Sequence, residues 1–220
     1  MKRDRGWIPE AADLEFIDEA AAPLHRVFVE MEALAKRTSI PIVDRESGRA
    51  LAALAAGRRR IVEVGTAIGY STLWLAMGQA PGGTIVTIDP DTNRTERARA
   101  WWRDADVHDE RIVQLTAKAL EAFAAGEPEL AGPFDMAFVD ALKDEYEAYV
   151  EALVPRLAPG ALLVADNVLW SGRVSGARPS EADDDTEALR AFDRALLRDR
   201  RFVATILPVG DGLLVAGYSG

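Results

Sequence analysis

Four side chains in two short stretches carry chemistry by their type and spacing. Asp140 and Lys143 lie in Val139-Asp140-Ala141-Leu142-Lys143, and Asp166 and Asn167 in Val164-Ala165-Asp166-Asn167. Each stretch closes an apolar run of strand length, 134–139 and 161–165. If those two strands are neighbours, Asp140, Asp166 and Asn167 meet at one rim of a sheet. Three oxygen donors with open positions suit a hard cation: Mg2+, with Ca2+ or Mn2+ as alternatives. Either aspartate alone reads better as the cap of a helix or turn, but the two strand ends together, beside Asn167, move the reading toward a metal. On spacing alone Lys143 is a solvent-facing lysine in the first turn of a helix. It becomes a general base only if partial burial and a nearby cation disfavour its charged form. Trp170 follows on an expected loop at the same rim, where an indole can stack on a ring.

A second stretch, Glu63-Val64-Gly65-Thr66-Ala67-Ile68-Gly69-Tyr70-Ser71, follows another strand run at 60–64. Gly65 and Gly69 let the backbone turn tightly and approach a ligand. A helix starting near Tyr70 offers free N–H groups and a dipole that favour a carboxylate, and Ser71 adds a hydroxyl. Asp89 ends the next strand, close to the ~20-residue offset at which a carboxylate accepts ribose hydroxyls in nucleotide folds. The loop departs from G-x-G-x-x-G at Thr66-Ala67, which speaks against a nicotinamide site. Glu63 is an unusual residue for a buried strand and reads as a ligand contact.

The elements that must position these residues follow from periodicity. Strands are expected at 60–64, 84–89, 111–115, 134–139, 161–165, 201–207 and 212–218. Helices are expected at 70–79, 92–105, 118–125, 144–156 and 184–199. This alternation implies right-handed βαβ units and a mostly parallel sheet with helices on both faces. Pro208-Val209-Gly210-Asp211-Gly212 joins the last two strands tightly, as in a hairpin, so one strand runs antiparallel. Upstream, apolar positions Leu14, Ile17, Ala21, Leu24, Val27, Phe28, Met31 and Leu34 recur at helical spacing, divided by Pro23. Another helix is expected at 44–56. The longest irregular stretch is 171–183, and Asp183-Asp184-Asp185 precedes a helix whose dipole favours that charge.

Composition narrows the partners. The chain has 220 residues, enough for one α/β domain. A net charge of −10 with no basic stripe argues against nucleic acid. The basic clusters Arg58-Arg59-Arg60 and Arg198 with Arg200-Arg201 flank expected strand starts and read as solvated charge. There is no cysteine, hence no disulfide, thiolate site or cysteine nucleophile, and the absence fits a reducing cytoplasm. His25 and His108 have no ligand partner in sequence, which leaves zinc unsupported. Lys2, Arg3 and Arg5 precede no apolar signal segment, and no apolar run reaches the ~20 residues of a membrane span. Trp101 and Trp102 sit on a helix as packing residues.

Taken together, these stretches resemble the metal-dependent class I O-methyltransferases that include the catechol and caffeoyl-CoA O-methyltransferases. The resemblance is carried by PIVDRESGRAL (41–51), VEVGTAIGYSTLWLA (62–76), TIDPD (87–91), FDMAFVDALKDEY (134–146), LAPGALLVADNVLWSGRV (157–174) and LPVGDGLLVA (207–216). It implies a Rossmann-like α/β fold: a seven-stranded, mostly parallel sheet with a C-terminal antiparallel hairpin strand. It also implies one domain over 1–220, with 1–57 supplying helices over the cofactor and substrate side and 58–220 the core. Glu63, Gly65, Thr66 and Ser71 would then hold the methionine part of S-adenosylmethionine, with Val43 and Asp140 beside it. Asp89 would take the ribose, and Ala119 in TAKALEAF the adenine. Asp140, Asp166 and Asn167 would hold the metal, and Lys143 would take the proton of the attacking hydroxyl. Leu142 stands where the caffeoyl-CoA branch has Asp and the catechol branch a bulky aromatic. Ser171 replaces an Asn of the plant enzymes, and Lys118 a frequent Asp. An apolar wall of Leu142 and Trp170 suits a small aromatic diol better than a CoA thioester. The resemblance also implies a homodimer. The competing expectations are a tRNA hydroxyuridine O-methyltransferase of the same family, a nicotinamide-dependent oxidoreductase and a non-enzymatic binding module.

Overall fold

A computed structural model of the protein describes residues 10–220; Lys2, Arg3 and Arg5 lie outside them. Among the described residues seven strands form one sheet: β1 (Arg60–Val64), β2 (Thr84–Ile88), β3 (Ile112–Leu115), β4 (Phe134–Val139), β5 (Leu157–Ala165), β6 (Phe202–Leu207) and β7 (Leu213–Tyr218). Their order is β3-β2-β1-β4-β5-β7-β6. The first five strands pair in parallel, and β7 runs antiparallel to both β5 and β6. The expected strands are all present, and the 208–212 link does turn a hairpin.

The described residues also form eight α-helices: α1 (Ala11–Ala20), α2 (Arg26–Thr38), α3 (Arg45–Ala55), α4 (Tyr70–Gly78), α5 (Thr92–Asp104), α6 (Ala119–Ala125), α7 (Tyr146–Leu153) and α8 (Asp184–Leu196). Side-chain acceptors set the starts of α3, α5 and α8. The Asp44 carboxylate receives the Ser47 N–H at 2.7 Å and opens α3. Asp91 receives the Arg94 N–H and opens α5. Asp183 and Thr186 exchange hydrogen bonds in a capping box at α8. The acidic run 183–185 is therefore a helix start, as expected. The single helix expected at 144–156 is instead α7 flanked by 3-10 turns at Lys143–Glu145 and Val154–Arg156, because Pro155 lacks the N–H that a continuing helix would donate. The irregular 171–183 stretch follows Trp170 in a left-handed turn over Trp170–Gly172 and holds a 3-10 turn at Pro179–Glu181.

Successive strand side chains feed two cores, one on each face. Val62, Val64 and Val139 pack with α6, α7 and α8, while Ile61, Met136 and Phe138 pack with α2, α3 and α4. Trp102 is buried, and its Nε1–H donates to the Gly69 carbonyl at 3.0 Å, so this tryptophan fixes the first glycine loop as well as filling space.

Of the N-terminal helices, α2 buries its expected apolar positions Val27, Phe28 and Met31. Pro23 does separate α1 from α2, but α1 buries nothing: Leu14, Phe16 and Ile17 are exposed. What ties it down is polar. Asp18 meets the guanidinium groups of Arg45, at 3.3 Å, and Arg49, at 2.5 Å. The Arg58–Arg60 cluster is engaged at the amino rim of the sheet, where the Asp135 carboxylate receives the N–H groups of Arg59 and Arg60, and the Arg60 guanidinium lies over Phe134. Among the described residues no helix is long and apolar enough to cross a membrane.

Candidate active site

Strand register explains why the chemical residues meet. Val64 pairs with Ile88 and Val139, and Val139 pairs with Ala165. The residue after each strand therefore falls on one line: Asp89, Gly65, Asp140 and Asp166. The ladder continues through that line. Gly65 N–H donates to the Ile88 carbonyl at 2.9 Å, Asp140 N–H to Val64 at 2.9 Å, and Asp166 N–H to Val139 at 3.1 Å. Between β1 and β4 the strand order reverses, the point at which an open parallel sheet leaves a crevice. Gly65 has φ +104°, and a side chain there would collide with the Asp140 carbonyl, so only glycine permits the two loops to touch.

A cavity of about 570 Å³ opens over this rim. Its wall includes Val43, Gly65, Thr66, Ser71, Asp89, Ala119, Asp140, Leu142, Lys143, Asp166, Asn167 and Trp170, so all but one of the expected site residues share one space. The exception is Glu63. Its side chain is fully buried beneath the loop, and its carboxylate receives hydrogen bonds from the hydroxyls of Ser71 (2.6 Å), Thr72 (2.5 Å) and Thr87 (2.6 Å). From there Glu63 orients Ser71, which stands in the cavity wall. Burial pushes the Glu63 carboxyl up to about 7, with the three hydroxyls pulling the other way. Asp89 uses part of its capacity on the N–H groups of Ala67 (2.8 Å) and Asp91 (2.9 Å), and a carboxylate retains further lone pairs for a ligand.

Lys143 is not solvent-facing. Its side chain is 9% exposed, and Nζ donates to Asp140 Oδ1 (2.8 Å), Asn167 Oδ1 (2.7 Å) and the Tyr146 hydroxyl (2.7 Å). The Tyr146 hydroxyl in turn donates to the Asp166 carbonyl at 3.1 Å. Asp140, Lys143, Asp166 and Asn167 are therefore one cluster drawn from two strand ends. Burial and the neighbouring Asp140 charge push the Asp166 carboxyl up to about 8. Asp166 Oδ1 is buried and has no hydrogen-bond partner. Burial also pushes the Tyr146 phenol well above its ordinary range, so it serves this cluster as a neutral donor and acceptor.

Several contributors were not singled out in the sequence. Tyr146 lies three residues past Lys143, the spacing of adjacent positions on one helix face, which could have flagged it. Tyr70, Arg94, Glu145 and Tyr149 also line the cavity. A smaller compartment of about 300 Å³ adjoins the cluster and is bounded by Glu32, Asp44, Arg45, Tyr70, Asp166, Asn167 and Asp211. There Glu32 receives hydrogen bonds from Arg45 Nε (2.8 Å) and the Tyr70 hydroxyl (2.7 Å), joining α2, α3 and α4 beside the crevice. Trp170 stands at the wall with Arg173 over its ring at 5.3 Å and Lys143 Nζ at 5.7 Å.

Sheet order and site together define a Rossmann-like α/β domain with one large crevice at its switch point. Comparison with known proteins makes the class specific. The profile of the O-methyltransferase family matches residues 19–217, and the chain belongs to that family. A mouse catechol O-methyltransferase domain-containing protein is 35% identical over 161 residues, 72% of this chain and 60% of that protein. A catechol O-methyltransferase of Mycobacterium tuberculosis is 36% identical over 152 residues, 68% of this chain and 64% of that one. The chain thus spans somewhat less than two thirds of these two relatives. Among solved structures, the O-methyltransferase TomG of Streptomyces achromogenes, in complex with S-adenosylmethionine, superposes with TM-score 0.82 at 28% identity, covering 96% of both chains. A Bacillus cereus O-methyltransferase with bound S-adenosylhomocysteine gives 0.80 at 28% identity, covering 94% of this chain and 97% of that one.

Proposed function

We propose that this protein transfers the methyl group of S-adenosylmethionine to one hydroxyl of a small, catechol-like aromatic diol, with a divalent metal, Mg2+ in the first place, at Asp140, Asp166 and Asn167. The observation that carries the reading is the cluster itself. Two carboxylates, an amide oxygen and a lysine amine converge beside the glycine loop, in a single cavity, at the sheet's switch point.

The residues fit a metal of this kind. The donors are all oxygen, the set favoured by hard cations. Asp166 Oδ1 is buried without a partner, and the Lys143 amine already draws Asp140 and Asn167 around a positive charge. When bound, such a metal supplies Lewis-acid stabilisation of a developing oxyanion. The rest of the work belongs to side chains of this chain. Asp89 accepts the ribose hydroxyls, and Ala119 at the start of α6 borders the adenine. Thr66 and Ser71 hold the amino-acid end of the cofactor, Ser71 being braced by Glu63. Once Lys143 Nζ has given a proton to the Asp140 side, its neutral amine can take the proton of the attacking hydroxyl. Leu142 and Trp170 hold the aromatic ring, so the nucleophile is oriented toward the sulfonium methyl, and positioning supplies much of the rate. The small apolar wall favours a simple diol over a CoA thioester.

The test is a methyl-transfer assay over catechol, caffeate and flavonoid diols, with and without EDTA. The expected result is turnover on at least one diol that EDTA abolishes and Mg2+ restores. Turnover on bulk tRNA and on no diol would replace the acceptor, and EDTA-resistant turnover would remove the metal.

A further inference from the structure

We infer that Asp211, at the tip of the β6–β7 hairpin, is a positioning residue that holds the 167–171 segment in the backbone conformation presenting Asn167 and Trp170 to the cavity. The inference rests on the proposed reading of that rim as the metal and acceptor site, and it assigns work to a turn so far described only as a strand connection.

The segment needs holding. Asn167, Trp170 and Ser171 have φ of +60°, +48° and +52°. Asparagine tolerates this left-handed region, but a bulky tryptophan rarely enters it, and such conformations persist only where the surroundings over-determine them. Here the surroundings are the hairpin tip. The Gly212 carbonyl receives the Val168 N–H at 3.1 Å, and the Asp211 carbonyl receives the Leu169 N–H at 2.9 Å. The Asp211 carboxylate then receives the Ser171 backbone N–H, with the Ser171 hydroxyl at 3.5 Å from its second oxygen. Asp211 thus acts where the backbone is least at ease, between Trp170 and the following turn.

The tip is itself wedged. A side chain at Gly212 would run into Leu169, and one at Gly210 into the Asp44 carboxylate and Ser47 at the start of α3. The turn therefore fills the gap between α3 and the 167–171 segment and transmits the position of one to the other. Among the described residues Asp211 makes no salt bridge, so its carboxylate serves as a hydrogen-bond acceptor rather than as an ion-pair member. It also borders the smaller compartment together with Asp166 and Asn167.

The experiment compares Asp211→Ala, Asp211→Asn and Ser171→Ala with wild type. Four readouts are taken: amide hydrogen exchange of the 166–172 peptide, Mn2+ affinity without acceptor, acceptor KM and S-adenosylhomocysteine affinity. Asp211→Ala is expected to speed exchange in that peptide, to weaken Mn2+ binding by about 10–100-fold as loss of an outer support does, and to raise acceptor KM. Cofactor affinity should stay within about twofold, since Gly65 and Asp89 follow other strands and Ser71 lies on α4. Asp211→Asn keeps an oxygen for the Ser171 N–H and should recover most of each loss. Ser171→Ala keeps the N–H and should behave as wild type. Unchanged exchange in Asp211→Ala would overturn the inference, as would Asp211→Asn being as impaired as Asp211→Ala, or cofactor affinity falling in step with the rest. If wild type binds neither Mn2+ nor a diol, the functional reading fails, and peptide exchange alone decides the role of Asp211.

Discussion

Lys143 combines two properties that a lysine seldom has at once: it is nearly buried, and its amine meets three hydrogen-bond partners. Nζ spans Asp140, Asn167 and Tyr146, with the Tyr146 ring 4.9 Å away. Tyr146 is no rival as the base, because burial holds its proton far above neutral pH. Replacing Lys143 by methionine keeps the stem's volume and removes only the amine. We expect Lys143→Met to lose about 10²–10⁴ in kcat, the range of general acid–base contributions. Binding of S-adenosylhomocysteine should change by less than about threefold, because Ser71, Asp89 and Ala119 are untouched. Single-turnover kinetics beside calorimetric cofactor titration checks both halves, and undiminished turnover would remove Lys143 from the chemistry. The sequence placed Lys143 beside Asp140 but not inside the cluster, because i to i+3 spacing says nothing of a second strand. Glu63 shows the reverse: its oddity in a strand was visible, while the hydrogen bonds it receives from Ser71, Thr72 and Thr87 depended on α4 and β2 packing over it.

Elements whose local signals and tertiary environment agree were readable from the chain. β1, β2 and β4 are buried apolar runs, and α8 begins at the acidic residues that cap it. α1 was legible as a helix but its docking was not, because periodicity gives a helix its apolar stripe but not a surface to lay it on; Asp18 decides the docking through Arg45 and Arg49. α8 carries a comparable conflict in its own core face. Asp193 is 5% exposed, its Oδ1 has no hydrogen-bond partner, and burial alone pushes its carboxyl up to about 7. The sign follows from linkage. The folded chain holds this proton more tightly than the unfolded one, so the residue's contribution is most favourable below the ordinary carboxylate range. It is lost as pH rises toward 7, after which the buried charge is a constant cost. Asp193→Asn should therefore raise the Tm by a few degrees at pH 8 and leave it nearly unchanged at pH 4. Thermal melts at the two pH values decide it. An equal shift at both would mean that the carboxylate's charge is not what destabilises α8.

At the scale of the whole molecule, what the chain could not disclose by pattern alone is adjacency. The proposed chemistry requires β4 beside β5 and β1 beside β4, and the order β3-β2-β1-β4-β5-β7-β6 supplies both. Alternating strands and helices imply a parallel sheet but leave its order open; only the combined motifs of the family narrowed it. The same order sets how ligands should act on stability. The crevice is lined from the 41–43 link before α3, from the ends of β1, β2, β4 and β5, and from the start of α6, so a molecule filling it touches both cores. A ligand bound only by the folded state stabilises by about 2.7 kcal/mol at a hundred times its Kd. In a chain of this size each kcal/mol moves Tm by roughly 2–4 °C, so S-adenosylhomocysteine should raise Tm by about 5–10 °C. NADH should leave it unmoved, since the loop runs Gly65-Thr66-Ala67-Ile68-Gly69 and lacks the second glycine that admits a pyrophosphate. Differential scanning fluorimetry with each compound separates these outcomes, and a shift with NADH but none with S-adenosylhomocysteine would assign the crevice to a different cofactor.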